Sequence, residues 1–405
     1  MIAKIFIGSI LCLIALVMVI DFIPLFKDWI NRIKIGRYLD VEEWSQSIVK
    51  TGVEWLKKTP LIKVTDNTRL IMVDMLRGNY KSNAIQSWQE AALILGLSEY
   101  MKIHTSKQIR NQIVNYIEYQ FDYSGQWITK PKNVDAALLS YAIMKSDCVD
   151  IQKYKRAFDF TWDLIKEHIG EDGCVAYRNG MKSYRYVDTI GFICPFLIAY
   201  GLRFNKKECI ELAIKQIKQF EQSGMHEIEQ MWVPYHAYKI ENHIPLGLYG
   251  WGRGLAWFSI GVMDSWKELP PHHKYKKTLE ESVKKLAKSI LIFQQDNGNW
   301  NWTIGRDECR PDSSTTAVLG WFMVNASTIK DISKECEACS EKALNYLMTV
   351  TRRDGAVDFS QGDTKDIGVY SMTFSILPFT QGFSIRAISS YKNQGLVKNN
   401  VKKSS

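Results

Sequence analysis

Residues 188–202 read DTIGFICPFLIAYGL. One aspartate opens the run and nearly everything after it is apolar. A helix that is hydrophobic all round is a buried one. Residues 275–285, YKKTLEESVKK, have the opposite character, with Leu279 and Val283 forming one apolar stripe on a charged cylinder. Residues 315–324, TTAVLGWFMV, then return to the apolar type. The chain alternates in this way along its length. Counting outward from residue 188 gives six helix pairs, at about 41–103, 106–147, 152–203, 206–267, 274–328 and 332–393. A repeat of roughly 40–60 residues is the size of a helical hairpin. In each pair the first helix is the more polar and the second the more apolar. An outer ring of amphipathic helices around an inner, nearly all-apolar ring accounts for that asymmetry. The expected fold is therefore all-α, an (α/α)6 barrel of six helical hairpins, its mouth built from the loops that lead into the inner helices. Four of these loops, SGQWIT (124–129), DGCVAY (172–177), DNGNWNW (296–302) and DGAVDF (354–359), pair a turn glycine with strand-like residues and predict short β-hairpins.

Residues 5–20, IFIGSILCLIALVMVI, are apolar apart from Gly8, Ser9 and Cys12, and after Asp21 the stretch FIPLF extends the run to residue 26. This approaches the ~20 apolar residues that span a bilayer as a helix. No small-residue cleavage site follows, which favours a retained single-pass anchor over a removed signal peptide. Lys27, Arg32, Lys34 and Arg37 follow the span and only Lys4 precedes it, so the positive-inside rule leans towards a cytoplasmic domain; the opposite orientation stays open. The organisation expected is an anchor with its juxtamembrane segment at 1–38, the barrel at 39–393 and a basic flexible tail at 394–405.

Composition narrows the function classes. The 405 residues are 46% hydrophobic and 23% charged, as in an ordinary globular protein, and include 13 Trp, 19 Tyr and 17 Phe. Most of these rings fill the core, but such a surplus also suits a concave sugar-binding surface. The net charge of +9 comes without any aromatic-interleaved basic motif, so no nucleic-acid partner is expected; an anionic lipid surface or an acidic substrate explains it as well. The eight cysteines show no disulfide framework, and the CxxC at Cys336 and Cys339 sits alone in a helical pattern. No metal or nucleotide motif is present and no cofactor is expected.

The polar residues that interrupt the starts of the inner helices carry the functional signal. Trp88, Gln89 and Glu90 open the first, Asp135 the second, Asp188 the third, Arg253 and Trp257 the fourth, Asp312 to Thr316 the fifth, and Gln381 and Gly382 the sixth. Each aspartate alone reads equally well as a helix N-cap, worth about 1 kcal/mol. Convergence on one end of a barrel adds something that capping does not require: carboxylates, an arginine and tryptophans sharing a pocket. Arg253 lies between glycines in YGWGRGLAWF (249–258) and cannot shed its charge, so it needs a partner. An active-site aspartate and a substrate carboxylate are both open.

These stretches, taken in order, resemble the unsaturated glucuronyl and rhamnogalacturonyl hydrolases of glycoside hydrolase families 88 and 105. The resemblance runs from Trp88–Gln89 through Asp135, the V-D-x-x-x-x-x-P-F segment at Val187–Phe196 and Tyr235–His236. It continues in W-x-R-G-x-x-W at Trp251–Trp257 and the acidic-S-S run at Asp312–Ala317, covering roughly residues 40–393. It implies hydration of a vinyl ether in a terminal 4,5-unsaturated uronic acid. Asp188 is then the general acid/base and Asp135 the second carboxylate. Trp88, Gln89, His236, Trp251, Arg253, Trp257, Ser314 and Thr316 are implied substrate contacts. Three positions depart from the family pattern: Thr189 and Lys239 stand where acids are common, and Leu255 where an amide is. The partner expected is an oligo- or polysaccharide, and the anchor raises the idea of a membrane-associated one. Two other readings fit the same residues: another (α/α)6-barrel hydrolase acting on surface-polysaccharide intermediates, and a non-catalytic membrane-anchored glycan-binding protein.

Overall fold

The computed structural model describes residues 2–60, 62, 70–77, 86–228 and 231–396. The expected hairpins are all present. The outer helices are α2 (Val41–Lys57), α5 (Lys107–Gln120), α7 (Lys155–Glu167), α9 (Lys207–Ser223), α11 (Lys276–Ile292) and α13 (Ser333–Thr349). The inner helices are α4 (Ser87–Met101), α6 (Ala136–Met144), α8 (Val187–Arg203), α10 (Gly252–Glu268), α12 (Ser313–Ala326) and α14 (Pro378–Asn393). Two helices stand apart from this set, the N-terminal α1 (Ile2–Arg32) and the short α3 (Ile71–Leu76). Every residue of α6 is buried, whereas α5 buries only Ile109, Ile113, Tyr116 and Ile117, the single stripe of an amphipathic helix. The inner ring closes where α4 meets α14. A Cβ on Gly382 would lie 2.2 Å from the backbone of Ala92, and one on Gly96 would overlap the Gly382 carbonyl, so this contact requires both glycines.

The four glycine loops form one repeated turn. Asp122, Gly170, Gln295 and Arg352 each donate a backbone N–H to the carbonyl four residues on, at 2.8–2.9 Å. Gly125, Gly173, Gly298 and Gly355 occupy the third step of the turn with φ between 70° and 94°, a region that suits glycine. The remaining strands are short: β1 (Tyr184–Tyr186), β2 (Met225–Ile228), β3 (Met231–Pro234), β4 (Ala237–Lys239), β5 (Pro245–Leu246), β6 (Ser360–Gln361) and β7 (Phe374–Ser375). β4 pairs antiparallel with both β1 and β5, with Tyr186 opposite Ala237. All of this β structure lies in loops that lead from an outer helix into an inner one, at the mouth. At the opposite end Arg386 forms a two-bond ion pair with Asp264 (2.9 and 2.6 Å) beneath Trp321, so the closed end is held by polar as well as apolar contacts.

Helix α1 is long and apolar enough to cross a membrane, and none of its apolar window is buried against the rest of the chain. Its last turns contact the barrel. Arg32 pairs with Asp358 at 2.6 Å, and Asp28 pairs with Arg352 at 2.9 Å. Most of the expected basic tail, residues 397–405, lies outside the described residues.

Candidate active site

The mouth holds a pocket lined about equally by aromatic and charged side chains. Its position follows from strand pairing. β1 runs directly into α8, and Val187 N–H donates to the His236 carbonyl at 2.9 Å. His236 leads into β4, so the β1–β4 pair sets the His236 ring beside Asp188 in the first turn of α8. Its Nε2 stands 3.5 Å from Asp188 Oδ2, and that buried oxygen has no hydrogen-bond partner among the described residues. Burial pushes the Asp188 carboxyl up to about 7; Arg253 opposes this and the charge of Asp363 adds to it. Burial also pushes the His236 imidazole down to about 4. Slightly below neutrality the pair is therefore a protonated carboxyl beside a neutral imidazole, not an ion pair.

Tyr370 orients the imidazole. Its hydroxyl accepts from Leu248 N–H at 2.7 Å and lies 3.1 Å from His236 Nδ1. Donation of the tyrosine proton to Nδ1 leaves the ring proton on Nε2, facing Asp188. Trp251 packs behind the ring, with centroids 4.6 Å apart. Across the pocket Trp88 meets the Trp257 face edge-on at 5.4 Å, and Phe192 lies against Trp257 at 4.4 Å. Gln86 accepts from the Trp88 indole and donates to Asp363 Oδ2 at 3.1 Å, tying this aromatic wall to a third carboxyl. At the rim Arg178 reaches the Lys365 carbonyl at 3.1 Å and the Asp366 carboxylate at 3.5 Å, clasping the 363–366 loop to the segment before β1.

The structure sorts the expected site residues into three groups. Trp88, Asp188, His236, Trp251, Arg253 and Trp257 all line the pocket. Asp135 sits back from the wall, buried; its carboxyl is pushed up to about 6 by burial and, more weakly, by Asp363. It makes no capping bond, so the N-cap reading fails for it, yet the like charge acting on Asp188 comes from Asp363 and not from Asp135. Gln89, Ser314 and Thr316 are off the pocket. Gln89 is 3% exposed and absent from the pocket wall; Ser314 and Thr316 are fully buried. Ser314 Oγ donates to Asp312, while Thr316 Oγ1 donates to the Asp312 carbonyl and accepts from Trp300 N–H. They fix the start of α12 and do not face solvent.

Arg253 acts on Asp188 and Asp363 through its charge, and its hydrogen bonds go to backbone. Its guanidinium donates to the carbonyls of Gln361 (2.7 Å) and Gly362, so it clamps the backbone of the loop that carries Asp363. That loop supplied the residues that reading helix starts missed. Asp363 lies fifteen residues before α14, and the only signal for it was the charge cluster GDTKD (362–366) in an otherwise uncharged stretch. Tyr177, Arg178 and Tyr186 also line the pocket, and Arg178 and Tyr186 bond to the same loop at Asp366.

Residues 63–392 match the family model described as Glycosyl Hydrolase Family 88. The chain belongs to this family. Family 88 membership makes it a glycoside hydrolase, and solved structures support the barrel. A possible member of the GH105 family from Salmonella enterica superposes with a TM-score of 0.73 at 14% identity, covering 89% of this chain and 96% of the other. An unsaturated glucuronyl hydrolase specific for heparin gives 0.65 at 16% identity, covering 88% and 99%. The unsaturated glucuronyl hydrolase of Bacillus sp. GL1 gives 0.64 at 14% identity, covering 87% and 97%. At such identities the likeness shows a shared fold. A comparison with curated protein sequences found no match. Within the family 88 chain, the third and fourth hairpins and the loop before α14 supply most of the pocket.

Proposed function

We propose that this family 88 hydrolase removes a terminal 4,5-unsaturated uronic acid from an acidic glycan by hydrating its vinyl ether. The observation that carries the reading is Asp188: a buried carboxyl holding its proton up to about pH 7, with one oxygen unpartnered at an aromatic pocket. That is the property a general acid needs at neutral pH. Asp188 transfers its proton to C4, and the positive charge that develops at C5 is shared with the ring oxygen. Water adds at C5 and returns a proton to Asp188. The resulting hemiketal opens to a ketone at C5, and the hemiacetal left at C1 releases the remaining chain as an alcohol. Neutral His236, with Nε2–H towards Asp188, orients the water and the carboxyl. Trp88 and Trp257 offer faces to the sugar ring. Arg178 and Lys365 at the rim attract the substrate carboxylate. The charge of Asp363 helps keep both Asp188 and Asp135 protonated.

Incubation with lyase-derived oligosaccharides in D2O tests this reading. The expected result is loss of the ultraviolet absorbance of the conjugated acid together with deuterium at C4 of the released product. Cleavage without deuterium at C4 would instead indicate direct displacement at the anomeric carbon. If no member of a broad panel loses absorbance while binding persists, the pocket is a binding site only.

A further inference from the structure

The anchor helix and the pocket share one loop. Arg32 closes α1 and donates from Nε and Nη2 to the two oxygens of Asp358, at 2.6 and 3.1 Å. Asp358 is fully buried and also accepts from Arg352 Nε at 2.6 Å, while Arg352 pairs in turn with Asp28 of α1. Backbone bonds join the same two segments: Gly36 N–H donates to the Thr351 carbonyl and Arg353 N–H to that of Asn31. Burial alone would raise the Asp358 carboxyl, but hydrogen bonds from Arg32 and Arg352 outweigh it and hold the group ionised. Three residues after Asp358, Gln361 accepts from the Trp251 indole, and its carbonyl takes Arg253. Two residues further on, Asp363 lines the pocket. A second tether, Leu70 N–H to the Asp21 carboxylate at 2.8 Å, joins α1 to the connection between α2 and α4. Among the described helices only the short α3 packs along α1 to any extent, so α1 leaves the barrel instead of running down its side.

We propose that the pocket opens towards the bilayer, so that the glycan it processes is an acidic one tethered to the membrane. The occupant of the exposed apolar length of α1 is lipid, and the charged clasp at Asp28, Arg32, Arg352 and Asp358 sets the mouth at the membrane surface. The nature of the glycan rests on the uronic-acid reading above; the orientation does not.

The test uses the full chain in phosphatidylglycerol/phosphatidylethanolamine liposomes carrying a headgroup quencher. In a background with Cys12, Cys148 and Cys309 changed to Ser, one fluorophore is placed at the rim (Lys365→Cys) and another at the closed end (His272→Cys). Helix α10 has 17 residues, so the two ends are about 25 Å apart. The expected result is strong quenching at the rim and little at the closed end. Quenching at the closed end, or equal quenching at both, overturns the orientation. Arg32→Gln combined with Asp28→Asn, which releases the clasp, should reduce rim quenching towards the closed-end level; unchanged quenching there overturns the role given to the clasp. Unlabelled protein in the same liposomes should then cleave a lipid-linked unsaturated uronide at least about tenfold faster than its soluble headgroup. Equal rates overturn delivery from the membrane. Cleavage of neither counts against the uronic-acid reading and leaves the quenching result to decide the orientation.

Discussion

Asp312 and Asp188 both stand near the start of an inner helix, Asp312 at the N-cap of α12 and Asp188 in the first turn of α8, and have opposite surroundings. Asp312 caps α12. Its carboxylate accepts from Ser314 N–H, Thr315 N–H, both of their hydroxyls and Gln361 N–H. Asp188 lies past the cap position, which Tyr186 holds, and leaves one oxygen unpartnered among the described residues. Asp312 is fully buried and Asp188 nearly so, yet one carboxyl is supplied with donors and the other is starved of them. Donors stabilise the charged form, and burial without them stabilises the protonated form. The comparison separates a structural aspartate from a reactive one without reference to its helix position.

The largest expected difference is kinetic. Asp188→Asn should lower kcat by about 10²–10⁴-fold while circular dichroism stays native. Wild-type turnover in that variant would remove Asp188 from the mechanism and with it the meaning of the comparison. Asp312→Ala should act on stability, costing about 2 kcal/mol or more, because its buried donors are left unpaired. A denaturant midpoint at the wild-type value would show that the capping network is incidental.

The pH profile sharpens the contrast between the two carboxyls. Since Asp188 must carry its proton to act, kcat/KM should fall as pH rises through about 7. Asp363→Asn removes a like charge and should move that fall to lower pH; a shift to higher pH would mean that Asp363 acts on Asp188 through something other than its charge. Stability follows the same sign. The folded Asp188 binds its proton more tightly than the unfolded chain does, so its contribution declines as pH rises from about 4 to about 7. Asp188→Asn should flatten that decline in thermal-melt measurements. The smallest effect belongs to Ser314→Ala, which removes one donor from Asp312 and should cost about 1 kcal/mol with KM unchanged. A raised KM would restore Ser314 as a substrate contact.

The alternation of polar and apolar helices made the barrel legible, because an inner helix enclosed on every side must be apolar on every side. The glycine turns were legible for a similar reason, since their φ values admit little else. Asp188 and the three tryptophans were found because they sit beside helix starts that converge on the mouth, whereas His236, sixteen residues before α10, entered only through the family resemblance. Ser314 and Thr316 sit at an equivalent start but point into the α12 cap network, and periodicity does not report a rotamer. Asp363 was missed because its loop is long and carries no helix period. What brings it into the pocket is Arg253, whose guanidinium holds two carbonyls of that loop.

The sequence alone determined the ring of hairpins and which end is the mouth, because burial pattern and turn chemistry are local properties written residue by residue. It also marked α1 as a candidate span. Only the tertiary structure decided which aspartate is left without donors, what Arg253 holds, and that α1 is clasped to the loop lining the pocket. Those facts depend on contacts between residues up to 326 positions apart, as with Arg32 and Asp358, and no local pattern encodes such a distance.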